Sequence, residues 1–260
     1  AYLIGLSGNY SLARNAILSA TVNHFMTRTH TAPQHLLGTH WSDWPGYSED
    51  ATGEYNGTVH IDNYRNSLST SDPYELVGFA MGDRYDPTYA MRETKYTSLS
   101  LNAVSQIDKV NQVKTGLEFR RYDVFWDFKQ FYNVNPYGER YSSKPTYASF
   151  FLQDKIEYKD FVINVGLRFD YNNTDISYNA TPEDTVATWV KASSKSRWSP
   201  RLGMSFPIAE HSVMHFNYGV YYQSPRFTYL YTNLQGDISS GLPLLGNPEL
   251  EPEETISYEL

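Results

Sequence analysis

The chain has 260 residues, a formal net charge of −8 and no cysteine. That balance lacks the basic face a nucleic-acid binder needs to neutralise phosphates; without cysteine there is no disulfide framework, thiolate nucleophile or cysteine-held metal. No run approaches the ~18 apolar residues of a membrane-spanning helix, yet a mean hydropathy of −0.53 leaves room for a transmembrane barrel, whose strands alternate lipid-facing apolar residues with polar lumen residues.

Ala1, Tyr2, Leu3 and Ile4 show neither an initiator methionine nor a signal-peptide pattern. At the other end, Ile256 to Leu260 stops in mid-alternation, so the expectation is a fragment of a longer chain. Along its whole length the pattern has a period of two, without a sustained 3.6-residue period. About nine strands are predicted, starting near residues 1, 15, 96, 112, 147, 161, 198, 212 and 254. In the third, Leu99, Leu101, Ala103 and Ile107 share a face. In the fourth, Val113, Thr115, Leu117 and Phe119 oppose Lys114, Gly116, Glu118 and Arg120. The sixth alternates most clearly: Phe161, Ile163, Val165, Leu167, Phe169 and Tyr171 against Val162, Asn164, Gly166, Arg168 and Asp170. Leu202, Met204, Phe206 and Ile208 oppose Arg201, Gly203 and Ser205; Met214, Phe216, Tyr218, Val220 and Tyr222 oppose His215, Asn217, Gly219 and Gln223.

Short turns are expected near 8–14, 108–111, 159–160 and 209–211, with long connections near 30–95, 129–146, 174–197 and 225–253. Short and long alternate strictly, as in outer-membrane barrels with tight periplasmic turns and long extracellular loops. Strands of ~10–12 residues, tilted by ~45°, span a bilayer's hydrocarbon layer. Aromatic residues make up 16% of the chain, 23 of them tyrosine, and many fall at predicted strand ends. Phe161 marks a short-turn end; Phe169, Tyr171, Trp126, Phe128, Trp198 and Tyr222 lie towards long connections, resembling two interfacial girdles. A soluble sandwich would share the alternation, with its apolar face turned to a core.

Five phrases then stand in order: FLQDKIE at 151–157, NVGLRFDY at 164–171, SPRLG at 199–203, FNYGVYYQ at 216–223 and GNPELEPE at 246–253. Together they resemble the barrel of TonB-dependent receptors, especially the large Oar-like and SusC-like ones. The resemblance covers 147–260 closely and 1–146 only in style. It implies an all-β, antiparallel transmembrane barrel of ~22 strands, of which residues 1–260 supply part, closed around a plug with a TonB box that this stretch does not contain. It also implies the cell outer membrane of a Gram-negative bacterium, contact with outer-membrane lipid, the TonB complex as partner through the plug, and a possible surface lipoprotein partner. Gly166 and Gly203 are expected on the lumen face, where backbone or plug approaches closely, and Pro200 at a strand start, where a missing donor is tolerated.

Two segments are candidate ligand contacts. Trp41, Trp44 and Tyr47 cluster in the first long connection and would suit a sugar or peptide platform; the competing reading is a cap packed on its neighbours. Tyr221, Tyr229 and Tyr231 follow a strand into its connection, with Tyr221 expected towards the lumen and Tyr222 towards lipid headgroups. Glu118, Arg120, Arg168, Asp170 and Arg201 are the lumen-facing polar set, expected to pair with one another or with a plug. The carboxylates Asp43, Glu49, Asp50 and Glu54, and Glu249, Glu251, Glu253 and Glu254, lack calcium-loop spacing and read as solvated acidic loops. His35 and His40 read as incidental. No nucleophile elbow, phosphate loop or dinucleotide fingerprint is present, so neither catalysis, cofactor nor metal is expected.

The leading expectation is TonB-dependent, energised uptake of a bulky solute (peptide, protein or glycan). The alternatives are a non-transport barrel serving adhesion or structure in an envelope complex, and a soluble extracellular carbohydrate-binding β-protein whose apolar faces would meet in a dry core.

Overall fold

The computed structural model describes residues 1–32, 37–43, 88–130, 137–184, 186–236 and 244–260. Its strands are β1 (Tyr2–Ala13), β2 (Ala16–Thr31), β3 (Thr88–Gln106), β4 (Asn111–Gln130), β5 (Tyr137–Ser143), β6 (Thr146–Tyr158), β7 (Phe161–Asn173), β8 (Ser177–Asn179), β9 (Trp189–Lys191), β10 (Lys195–Ala209), β11 (Ser212–Gln223) and β12 (Glu253–Glu259). A five-residue helix, α1 (Phe227–Tyr231), lies between β11 and β12. Nine strands form one antiparallel sheet in the order β1-β2-β3-β4-β6-β7-β10-β11-β12; β5 pairs with the outer half of β4, and β8 with β9 form a separate hairpin.

The short turns are local devices. In the turn between β3 and β4, Asp108 Oδ1 accepts the amides of Val110 and Asn111 at 2.7 and 2.8 Å, which bends the chain within one side chain's reach. Those bonds, with the Asn111 side chain's first among them, hold the Asp108 carboxyl below its usual pKa. The other short turns lie at 14–15, 159–160 and 210–211, between long connections of 32–87, 174–194 and 224–252; the link from β4 to β6 carries β5. The first turn is therefore shorter and later than the 8–14 expected, because β1 stays paired to Ala13↔Ala16. β3 begins eight residues ahead of its expected start and extends with β4 as a tall ladder from Thr88↔Gln130 downwards.

The register carries the curvature. One hydrogen-bonded row crosses the sheet through Ser11, Ile17, Val104, Lys114, Gln153, Gly166, Arg201, Gly219 and Ser257. Below it the strands run on by one to two residues to the first short turn, two to three to the second, five to the third and seven to eight to the fourth. This one-way stagger of ~5–6 residues over six strand spacings corresponds to a slope of roughly 30–35°, at ~3.3 Å per residue and ~4.8 Å per strand. Tilted strands of a barrel show that shear.

The row's own face is polar, and the alternate positions are apolar and uncovered. Leu117, Leu152 and Leu167, each six residues from a short turn, are 55%, 48% and 44% exposed. Among the described residues no second layer lies over this face, so the dry core of a soluble sandwich is absent. The buried cluster of Ile176, Ala192, Leu230 and Tyr231 lies instead among the long connections. Aromatic residues rim the apolar face near the short turns, where Phe161 stacks on Phe206 at 5.7 Å. Others rim it eight residues higher, where Phe169 meets Trp198 at 4.8 Å, with Tyr171 and Tyr222 each ten residues above the foot of its strand.

Two expectations need correcting. Trp126 and Phe128 share the polar face with Glu118 and Arg120, since the β3–β4 register is unbroken. They stack on each other at 5.7 Å, Trp126 Nε1 donates to Glu139 of β5 at 2.9 Å, and Arg92 lies over the indole at 4.6 Å. They belong to the tall hairpin, not to a lipid girdle. Pro200 is not at a strand start: β10 begins at Lys195 and pairs with β7 straight through Pro200. Pairing of β10 with β11, however, reaches only to Arg201↔Gly219. The ladder stops beside a residue with no N–H to give, leaving a seam towards the long connections.

A charged and aromatic groove on the polar face

Four of the expected lumen residues meet from two strands, β4 and β7, on either side of β6. The strand period puts Glu118 and Arg120 of β4, and Arg168 and Asp170 of β7, on the same face. Arg120 Nη2 lies 2.9 Å from Glu118 Oε1, and Arg168 Nη2 lies 2.8 Å from Asp170 Oδ1 and 4.0 Å from Glu118 Oε2. The charges alternate, so each guanidinium is neutralised while keeping further N–H donors. Arg120 Nε and Asn172 Oδ1 are buried without a hydrogen-bond partner, one donor and one acceptor beside the same groove.

An aromatic row crosses this cluster. Phe25 stacks on Tyr96 at 5.1 Å; Tyr96 meets Tyr122 at 5.4 Å; Tyr122 meets Tyr147 at 5.6 Å and Phe227 of α1 at 5.4 Å. Arg120 donates to the Tyr122 hydroxyl at 3.1 Å and lies 5.1 Å over the Tyr96 ring. The groove so formed holds about 600 Å³ and is walled further by Ser149, Lys195, Arg197 and Arg226. Tyr96, Tyr122 and Tyr147 were not singled out from the sequence. The sequence signal was that Tyr122 stands two residues beyond Arg120, on the same face; that Tyr96 faces Tyr122 and Tyr147 faces Arg120 needed the register.

Arg201 lies elsewhere on the same face. With Tyr221 it lines a second groove of about 550 Å³, which also includes Gln153, Asn217 and Arg168. Arg201 sits 4.8 Å over the Tyr221 ring. That ring in turn covers Gly219, where an added Cβ would lie 2.7 Å from the tyrosine oxygen. Tyr221 is thus on the polar face as expected, and Tyr222 on the other, donating to Glu254 at 2.6 Å.

The remaining candidates separate. Tyr231 is fully buried, stacked on Phe227 at 5.4 Å and donating to the Thr174 carbonyl at 2.9 Å. Burial raises its pKa and pushes that of its neighbour Tyr141 up to about 12. It holds the connections together and has no surface to offer a ligand. Tyr229 on α1 is 59% exposed. Trp41 packs on His40 at 4.8 Å, donates to Asp127 at 3.2 Å and lies under Lys129. Asp127 is on the apolar face's side of β4, so Trp41 is on the opposite side of the sheet from the groove. His40, read as incidental, also bonds the buried Asp127 at 3.1 Å and meets Tyr89 at 5.4 Å. Trp44, Tyr47, His35, Glu49, Asp50 and Glu54 lie outside the described residues.

The second acidic run is not simply solvated. Glu249 bonds Lys195 at 2.7 Å and the Ser193 amide at 2.7 Å; Glu251 pairs with Lys195 at 3.2 Å and with Arg197. These pairs carry the connection across the seam beside Pro200. Hydrogen bonds from Lys195 and then Ser193 pull the Glu249 carboxyl down to about 2.

No curated protein sequence matches the chain. Among solved structures, the copper transporter OprC is similar at 10% identity over 98% of this chain (TM-score 0.57), and the unliganded ferric citrate transporter FecA at 13% over 98% (0.54). The ferric-catecholate import receptor Fiu from E. coli K12, in closed form, is similar at 12% over 98% (0.52). At such identities the likeness concerns the fold. The chain spans 36%, 31% and 37% of the lengths of those three proteins. The family described as TonB dependent receptor-like, beta-barrel, matches residues 4–260, so this chain, a single sheared sheet with an uncovered apolar face, belongs to that family.

Proposed function

We propose that the chain forms part of the wall of an outer-membrane transporter driven through TonB, taking up a bulky solute such as a peptide, protein or glycan. The observation that carries this reading is the split between the two faces: Leu117, Leu152 and Leu167 stand uncovered on one, while the other holds a walled, charged groove. An apolar face without a layer over it suits hydrocarbon. The long connections would then lie outside the cell and the short turns in the periplasm. The groove of Glu118, Arg120, Arg168 and Asp170, roofed by Phe227, would line the upper part of the path. Tyr122 and Tyr147 would offer flat apolar contact, and the Arg120 and Arg168 guanidiniums would offer further N–H donors to a passing solute or to a plug.

Coupling requires a plug and a contact with TonB, both in the remainder of the protein; a surface lipoprotein would act above the long connections. Cells carrying the full-length gene, with and without functional TonB, provide the test. Growth on, or accumulation of, candidate peptides and glycans is expected only in the TonB-positive cells, and Arg168→Ala is expected to reduce it severalfold with the barrel still assembled. Uptake that persists without TonB rejects the proposal in favour of a passive or non-transport barrel.

A further inference from the structure

We infer that the outer surface of β2–β4 holds the phosphate of a lipid headgroup in the outer leaflet; the inference rests on the membrane reading above. The apolar face changes character at one height on these strands. Val22, Leu99, Leu117 and Phe119 are exposed and apolar. One step higher, the facing positions His24, Thr97 and Arg121 form a row, followed by Met26, Lys95 and Asp123, and then Arg28, Glu93 and Phe125. Arg121 and Lys95 stand ten and eleven residues above their shared short turn. At ~3.3 Å per residue on a strand tilted by ~35–45°, that is roughly 25–30 Å, the upper limit of a barrel's apolar band. Tyr171, Trp198 and Tyr222 occupy the same height on β7, β10 and β11. Thus the headgroup level is aromatic on one part of the sheet and cationic on the other.

The cations exceed their counter-charges. Arg28 and Lys95 share the carboxylate of Glu93, and Asp123 faces Lys95, so the three cations Arg28, Lys95 and Arg121 meet two carboxylates. Arg121 is exposed and has no ion pair or hydrogen bond of its own among the described residues. His24 holds Thr97 at 3.0 Å within the same row. Among the described residues nothing covers the patch, and its floor is the apolar face that acyl chains would contact. A group combining acyl chains with a phosphate satisfies both halves at once: the chains lie on Leu99 and Phe119, and the phosphate takes the fork of Arg121 and the ammonium of Lys95. A soluble anion would use only the second half.

The test uses full-length protein purified in detergent, with lipid A bearing two phosphates and the same lipid stripped of phosphate as probes. Each basic residue near an anionic headgroup contributes roughly fivefold in affinity, so Lys95→Gln with Arg121→Gln is expected to weaken binding of the phosphorylated lipid about 25-fold. Stripped lipid should bind wild type and variant alike. Lys114→Gln, on the polar face, should leave binding unchanged. Equal affinity of wild type for the two lipids overturns the inference, whether or not the double variant folds. Displacement by inorganic phosphate at the lipid's own concentration also overturns it, marking a bare anion site. A protein soluble without detergent would instead reject the membrane reading itself.

Discussion

Tyr231 and Glu249 illustrate how single side chains hold the long connections in place. The Tyr231 hydroxyl bonds the Thr174 carbonyl inside the buried cluster. Tyr231→Phe keeps the packing and removes that bond, at a cost of about 1 kcal/mol. Tyr231→Ala leaves a cavity costing ~3–5 kcal/mol, and protease cleavage within 224–252 should rise slightly for the first and steeply for the second. Glu249 provides a pH signature. Its carboxyl is depressed from 4.5 to about 2, so its contribution is complete above the unfolded value and is lost as pH falls through the folded one. Amide exchange across 244–252, corrected for intrinsic rate, should stay slow from pH 8 to 5 and accelerate below about pH 3. Glu249→Gln should abolish that step. Both roles were hidden in the sequence, because each depends on a partner more than 50 residues away. Glu118, Arg120, Arg168 and Asp170 were legible because strand alternation alone assigns a face. Trp126 and Phe128 misled because aromatic residues near a strand end suit a girdle and a tall hairpin equally well, and only the cross-strand register separates the two.

At the level of elements, the nine strands and the alternation of short and long connections could be read directly from period-two runs and turn residues. β5 could not, because Tyr137–Ser143 falls inside the connection expected at 129–146 and folds back on the upper end of β4. Neither could the early start of β10, which places Pro200 inside the strand. The missing N–H of Pro200 explains why pairing with β11 ends where it does, and this is testable. Pro200→Val supplies a donor, and the ladder should extend upwards, stabilising the pair by about 1 kcal/mol. Slow amide exchange at the substituted position is expected; exchange at the solvent rate would mean that something other than the proline keeps β10 and β11 apart.

For the whole molecule, the two faces predict opposite tolerances. Leu152 lies on the apolar face midway between the girdles and Gln153 on the polar one. Leu152→Arg should cost ~2–4 kcal/mol in bilayer-assembled protein, the penalty of a cation at mid-depth, whereas Gln153→Arg should change folding little. Refolding titrations into lipid vesicles would measure both, and equal costs would contradict a lipid-facing Leu152.

Most of this sheet is fastened by backbone hydrogen bonds, which ordinary salt leaves alone. The upper stretch between β10 and β11 is fastened instead by Lys195 and Arg197 to Glu249 and Glu251, and by Arg201 against Tyr221. Charges at such a place weaken as ions crowd in, since the screening length shrinks from ~10 Å at 0.1 M to ~3 Å at 1 M. Brine or acid should therefore act on this seam like a key, loosening a few ångströms of the sheet while the backbone-paired ladders beside it stay shut.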